Sequence, residues 1–199
     1  MTTPVLPAFR HGWAGLRMIL VMTVILGLAY PLAMTGFAWI AFPGKADGSL
    51  VSRDGSDVGS ALIGQSFTGR PDYFQGRPSA AGDGYDPLAS SASNLGPTSP
   101  VLLADVDQRR AAVARLDGTP ATEVAPDAVT ASGSGLDPDI SPAYAAQQVD
   151  RVAAARHLDP AVVRRLVEEN TDGRQLGFLG EPRVNVLMLN LALDGAGGR

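Results

Sequence analysis

The residues able to do chemistry in this chain are few and scattered. It has no cysteine and only two histidines, His11 on the flank before the long apolar run and His157 at an expected helix end, so neither a thiolate nor a paired-imidazole metal centre is expected. Gly44-Lys45 is followed by Ala46, not by the Ser or Thr of a phosphate-binding loop. Neither HExxH nor a G-x-S-x-G nucleophile elbow occurs. A cation could be held by carboxylates alone around Asp127, Asp137 and Asp139, although loop aspartates more often form turns and caps. The most distinctive loop is Ala131 to Ser141, ASGSGLDPDIS. Its glycines either bring backbone N–H groups to an anion ahead of a helix beginning at Pro142, or form a turn that sets up a Ser141 cap. Arg70, Arg77 and Arg109 suit anions, or ion pairs on an acidic surface. Gln147 and Gln148 fall in a helix, where an exposed polar face is expected, and His157 suits a solvated helix C-terminus.

The elements that must position these residues follow from the apolar pattern. Met18 to Gly44 holds no charged residue. As a helix its length is roughly 40 Å, against a hydrocarbon core of about 30 Å. Residues 18–43 are therefore expected to be a membrane helix, too long for a cleaved leader. Gly27 and Gly36 allow close helix packing beside Tyr30, and Pro31 is expected to kink the span. All 20 acidic residues lie at or after Asp47, while Arg10 and Arg17 precede the span. The positive-inside bias puts residues 1–17 in the cytoplasm and residues 44–199, with net charge −6, outside.

Downstream, the chain holds most of its 23 Gly and 15 Pro, yet at 45% hydrophobic overall it is too apolar to be disordered. No run of like charges suggests nucleic acid. Val58–Phe67 reads as a strand, and Thr68–Pro100 as a long Gly/Pro-rich loop ordered by its aromatics. Ser99-Pro100, Ser141-Pro142 and Asp159-Pro160 each mark a helix start. The inward faces are Leu102, Val106, Val113 and Leu116; Ala145, Val149, Val152, Ala153 and Arg156; then Val162, Val163, Leu166 and Val167. Arg183–Asp194 reads as a short strand entering a helix. The expected fold is α+β: one N-terminal transmembrane helix and a single extracytoplasmic mixed domain.

Several segments resemble the KdpC family, a component of the bacterial Kdp potassium-transporting P-type ATPase. They are GLAYP (27–31), FPGKADGSL (42–50), GSALIGQSF (59–67), YFQGRPSA (73–80), SNLG (93–96), VTASGSGLDPDI (129–140), QVDRVA (148–153) and the stretch 184–194, in the family's order. Asp47 stands where the family more often has Asn before Gly-Ser-Leu. The resemblance implies a non-catalytic accessory subunit of the bacterial inner membrane. Its partners would be a potassium channel-like subunit, an ATP-hydrolysing P-type subunit and a small membrane peptide, together importing scarce potassium. It also implies a catalytic chaperone that promotes ATP binding by the hydrolysing subunit, with Gln148 and the run Ser132, Gly133, Ser134 and Gly135 touching the nucleotide. No firmly bound cofactor or metal is implied. The charge bias places those residues across the bilayer from ATP hydrolysis, which favours assembly and capping of the potassium entrance. The alternative is a membrane-anchored ligand-binding or sensor module.

Overall fold

The computed structural model describes residues 5–197. The chain divides into two units, residues 1–50 and 51–199. In the first, α1 (Val5–Val24), a π-helical turn (Ile25–Ala29) and α2 (Tyr30–Ala41) follow without a break, and a short α3 (Pro43–Ala46) ends the run. Phe9–Ala41 is a helix of 33 residues, long and apolar enough to cross a membrane. The π turn lies just ahead of Pro31. Pro31 has no N–H and its ring crowds the carbonyl four residues back, so the preceding turn widens and the Tyr30 N–H donates to the Ile25 carbonyl. Around Gly36 nothing lies within 4 Å of where a side chain would start, Gly27 meets only Thr23 at 3.8 Å, and Tyr30 is exposed, so these positions are uncovered among the described residues.

The second unit is α+β. A hairpin of β1 (Leu50–Arg53) and β2 (Ser56–Ser60) leads into an irregular stretch, then α4 (Pro100–Asp117), 3-10 turns at Ala121–Glu123 and Pro126–Ala128, and β3 (Asp139–Ile140). After these come α5 (Pro142–Arg156), α6 (Pro160–Glu169), β4 (Thr171–Asp172), β5 (Arg183–Asn185) and α7 (Val186–Gly197). The small antiparallel sheet has the order β3-β5-β4, with Val184 facing Ile140 on one side and Thr171 on the other.

The three helix starts form as expected. The side chains of Ser99, Ser141 and Asp159 accept from the N–H groups of Leu102, Tyr144 and Ala161. Gly118 ends α4 in a left-handed conformation (φ 68°), and exposed His157 does the same for α5 (φ 56°). Residues 183–194 do pass from strand to helix.

Two expectations need correction. The strand expected over Val58–Phe67 stops at Ser60, because the Gly64 N–H leaves the hairpin to donate to the Leu136 carbonyl (2.8 Å), and Leu62 and Ile63 face solvent. The expected inner face of α4 is only half-buried, and Leu116 is 44% exposed, since no buried residue lies on this helix.

The core sits between α5, α6, α7 and the sheet: Val149, Val152, Val163, Val184, Leu189 and Leu193 are all fully buried. Phe74, from the irregular stretch, joins them with no exposure. A loop without regular structure thus contributes a central core side chain, and its backbone must be held by something other than a strand partner.

Candidate functional site

Side-chain amides hold that backbone. Gln148, on α5, accepts from the Gln75 N–H (2.7 Å) and donates to the Gln75 carbonyl (3.1 Å). Asn190, on α7, accepts from the Phe74 N–H (2.9 Å) and donates to the Phe74 carbonyl (3.0 Å). An amide side chain carries the same donor and acceptor as a peptide unit, so each pair imitates one rung of a β-ladder. Gln148 is 0% and Asn190 2% exposed. Burial is what makes these bonds matter, because a buried peptide group without a partner is costly. The exposed polar face expected for Gln147 and Gln148 is therefore wrong. Gln147 also works inward, accepting from the Ala125 N–H (3.0 Å) and donating to Asp117 (2.8 Å).

Arg151, one turn after Gln148, completes the clasp. Its guanidinium donates to Gln148 Oε1 (2.6 Å), to the Tyr73 carbonyl (3.0 Å) and to the Pro71 carbonyl, and pairs with Asp117 at 2.7 Å. Both ends of that ion pair are buried, with side chains 7% and 1% exposed. Asp117 is the last residue of α4, so the network ties α4, α5 and residues 71–75 together.

A second polar cluster lies around Tyr73. Its hydroxyl donates to Asp194 (2.9 Å), which also pairs with Arg156 (2.8 Å) and Arg53 (2.6 Å). Arg70 and Arg156 lie over the Tyr73 ring at 3.9 and 4.3 Å, and Phe67 stacks on it. Burial pushes the Asp194 carboxyl up, but hydrogen bonds from Arg156, Tyr73 and Arg53 outweigh it and hold the group below its ordinary range.

The Ser132–Gly135 run faces another part of the loop. Ser132 is buried and its hydroxyl accepts from the Gly135 N–H (2.9 Å). The Ser134 carbonyl accepts from the Ser91 N–H and the Ser90 hydroxyl (both 3.0 Å), and the Gly135 carbonyl accepts from Ser79 (2.6 Å). Gly135 has φ 68°, and a Cβ there would lie 2.7 Å from Ala81 N and Ser91 O. Gly133 and Ser134 are exposed. The run thus pins residues 79–91 while Gln148 holds residue 75, and among the described residues no hydrogen bond joins the two.

The three candidate cation-binding carboxylates are spent inside the fold. Asp127 accepts from the Ser141 N–H and hydroxyl, Asp137 pairs with Arg77 (2.9 Å), and Asp139 pairs with Arg183 (3.0 Å). Burial, against the pull of Arg183, leaves the Asp139 carboxyl raised. Among the described residues, no cluster of three metal-ligating side chains occurs. Arg70 and Arg109 also have acidic partners, Asp72 (3.7 Å) and Asp105 (3.8 Å). A groove of about 440 Å³ lies between α4, α5 and the loop, lined by Phe67, Arg77, Tyr85, Arg109, Val113 and Tyr144. Burial pushes the Tyr85 phenol up to about 12 and raises Tyr144 too, so both stay protonated donors at neutral pH.

Asn190, Arg151 and Asp117 of the clasp, and Asp194 beside Tyr73, are residues that sequence reasoning missed. One signal was present: Asn190 interrupts the otherwise apolar run VLMLNLAL, where a polar side chain must find a buried partner.

Comparison with known proteins covers most of the chain. Residues 12–195 match the family model described as KdpC: K+-transporting ATPase, c chain. A potassium-transporting ATPase KdpC subunit from Kineococcus radiotolerans is 60% identical over 187 residues, covering 94% of each chain. The Mycobacterium tuberculosis protein of the same name is 56% identical over 186 residues, 93% of this chain and 98% of its own. One from Acidobacterium capsulatum is 55% identical over 175 residues, 88% and 92%. The chain belongs to the KdpC family of the K+-transporting ATPase, the family its sequence segments resemble.

Proposed function

We propose that this chain is a non-catalytic accessory subunit that assembles and stabilises an ATP-driven potassium uptake complex. One helix holds it in the bacterial inner membrane, with the N-terminus in the cytoplasm and residues 44–199 outside. The supporting observation is the uncovered apolar helix Phe9–Ala41 in a chain of this ATPase family. In lipid, close packing and not hydrophobicity drives helices together, and the open surface at Gly27, Tyr30, Pro31 and Gly36 offers close approach to a neighbouring transmembrane helix. The partners are the potassium channel-like subunit, the ATP-hydrolysing subunit and the small membrane peptide. The acidic outer domain caps the potassium entrance.

A role for Gln148 in holding nucleotide would require its bonds to Gln75 and Arg151 to open first. Any chaperone effect on ATP affinity is therefore transmitted through contacts between chains. The test expresses the transport chains with and without this one in cells that depend on them for growth on trace potassium. The proposal predicts that, without it, the purified complex falls apart and growth fails. Full uptake by an intact complex lacking this chain would refute it.

A further inference from the structure

The groove between α4, α5 and the irregular loop carries two hydrogen-bonding groups that the fold leaves unused. Tyr144 lines it and is only 3% exposed, yet its hydroxyl has no hydrogen-bond partner among the described residues. Gln75 lines it too, at 9% exposure. Its Nε2 donates to the Arg70 and Tyr73 carbonyls (2.8 and 3.1 Å), which fixes the orientation of the amide, while its Oε1 accepts from none of the described residues. Buried polar atoms ordinarily find partners, so a free donor and a free acceptor on one groove call for an explanation. Neither oxygen is sealed inside the protein, so each is open to whatever fills the groove.

The walls are built to hold a shape. Tyr85 sits at φ 59°, a left-handed conformation costly for a tyrosine, and its hydroxyl donates to the Arg77 carbonyl (2.7 Å). It fits only because positions 64 and 76 are glycine, where a Cβ would collide with the Tyr85 side chain. Phe67, Val113 and Leu116 supply apolar surface. A volume of about 440 Å³ falls among small-ligand sites, which run from about 300 to 1,000 Å³ and are apolar with a few placed polar groups. The charges argue against an anion: Arg77 and Arg109 already face Asp137 (2.9 Å) and Asp105 (3.8 Å), Asp83 on the groove is exposed, and Gln75 Oε1 would repel a carboxylate. The complement of one donor and one acceptor is a neutral group that both accepts and donates. We propose that the groove binds a small neutral molecule carrying a secondary amide on an apolar body. Its carbonyl accepts from the Tyr144 hydroxyl, its N–H donates to Gln75 Oε1, and its apolar part lies on Phe67, Val113 and Leu116.

The probe is N-isopentylacetamide, titrated against the full chain in lipid nanodiscs and followed by saturation-transfer NMR, with empty nanodiscs subtracted. Isopentyl acetate has the same shape without the N–H, and 4-methylpentanoate carries the same apolar body on an anion. The proposal predicts saturable binding of the amide and binding about tenfold weaker for the ester and the anion, because an unmatched buried polar group rejects a ligand. Tyr144→Phe should weaken the amide about three- to tenfold. It breaks no bond of the fold, so it should melt as the parent chain does. Ala112→Phe, which fills the groove from α4 and leaves both polar groups in place, should abolish binding. No saturable binding by the parent chain would overturn the site and leave the groove to water. Unchanged affinity in Tyr144→Phe, a lowered melt of that variant, or equal binding of the ester or the anion would overturn it as well. None of these results would touch the assembly role, which omission of the whole chain tests separately.

Discussion

Replacing Gln148 with Met keeps most of the buried volume and removes the amide. Three bonds go: two to the Gln75 backbone and one from Arg151. The Gln75 N–H and carbonyl then lie beside a 0% exposed position with nothing to pair with. Each buried unsatisfied group costs about 1–3 kcal/mol, so the two together cost roughly 4 kcal/mol. That is a large share of a total stability of about 5–15 kcal/mol. For a unit of this size, each kcal/mol moves the midpoint by about 2–4 °C, so Tm should fall by roughly 8–16 °C. The assay is a thermal melt of the full chain in detergent, repeated with ATP. A ligand bound through Gln148 must raise the Tm of the parent chain and lose that effect in the variant. The clasp account predicts the large drop and no ATP shift in either protein. A drop of less than about 3 °C, or an ATP shift abolished by Gln148→Met, would refute it.

Further predictions concern neighbouring contacts. Gly135→Ala should cost more than about 2 kcal/mol, since its Cβ would meet backbone atoms at 2.7 Å in a left-handed conformation, while Gly133→Ala, with nothing within 4 Å, should be nearly neutral in the same melt. Arg151→Met alone should cost about 3–5 kcal/mol by stranding buried Asp117, and Arg151→Met with Asp117→Leu should recover part of it, which a double-mutant cycle measures. Asp194 is held below the ordinary carboxylate range, so its contribution is present above the unfolded value near pH 4 and lost as pH falls through the folded one. Asp194→Asn should therefore flatten the acid limb of stability below about pH 5. Asp139, raised by burial, works in the opposite sense: it favours the fold at low pH, and its contribution is lost as pH rises through its folded value.

Much of the fold was legible because it is set locally. A proline at the first helical position after Ser99, Ser141 or Asp159 leaves little choice of where a helix starts, and a 27-residue stretch without charge has few places to go. The inner faces of α5 and α6 follow from periodicity, and Val149, Val152 and Val163 are fully buried. The site was not legible in the same way. Gln148 and Gln75 are 73 positions apart, and Asn190 and Phe74 are 116 apart, so no local pattern marks them as partners. Reading Gln148 as exposed followed the average behaviour of glutamine on helices. The structure overrides that average because Phe74 must be buried, and its loop then needs partners that only side chains supply.

The central claim, an outer domain on the far side of the bilayer from ATP hydrolysis, is tested most directly by thiol labelling in intact cells. The chain has no cysteine, so a single one reports alone. Leu88, 96% exposed, and Thr122, also exposed, suit the domain, whereas Ser132 is buried and would label poorly for structural reasons. His11→Cys reports the other end. The account predicts that an impermeant maleimide labels Leu88→Cys and Thr122→Cys in intact cells and His11→Cys only after lysis. The reverse pattern would contradict it and place Gln148 on the side where ATP is split.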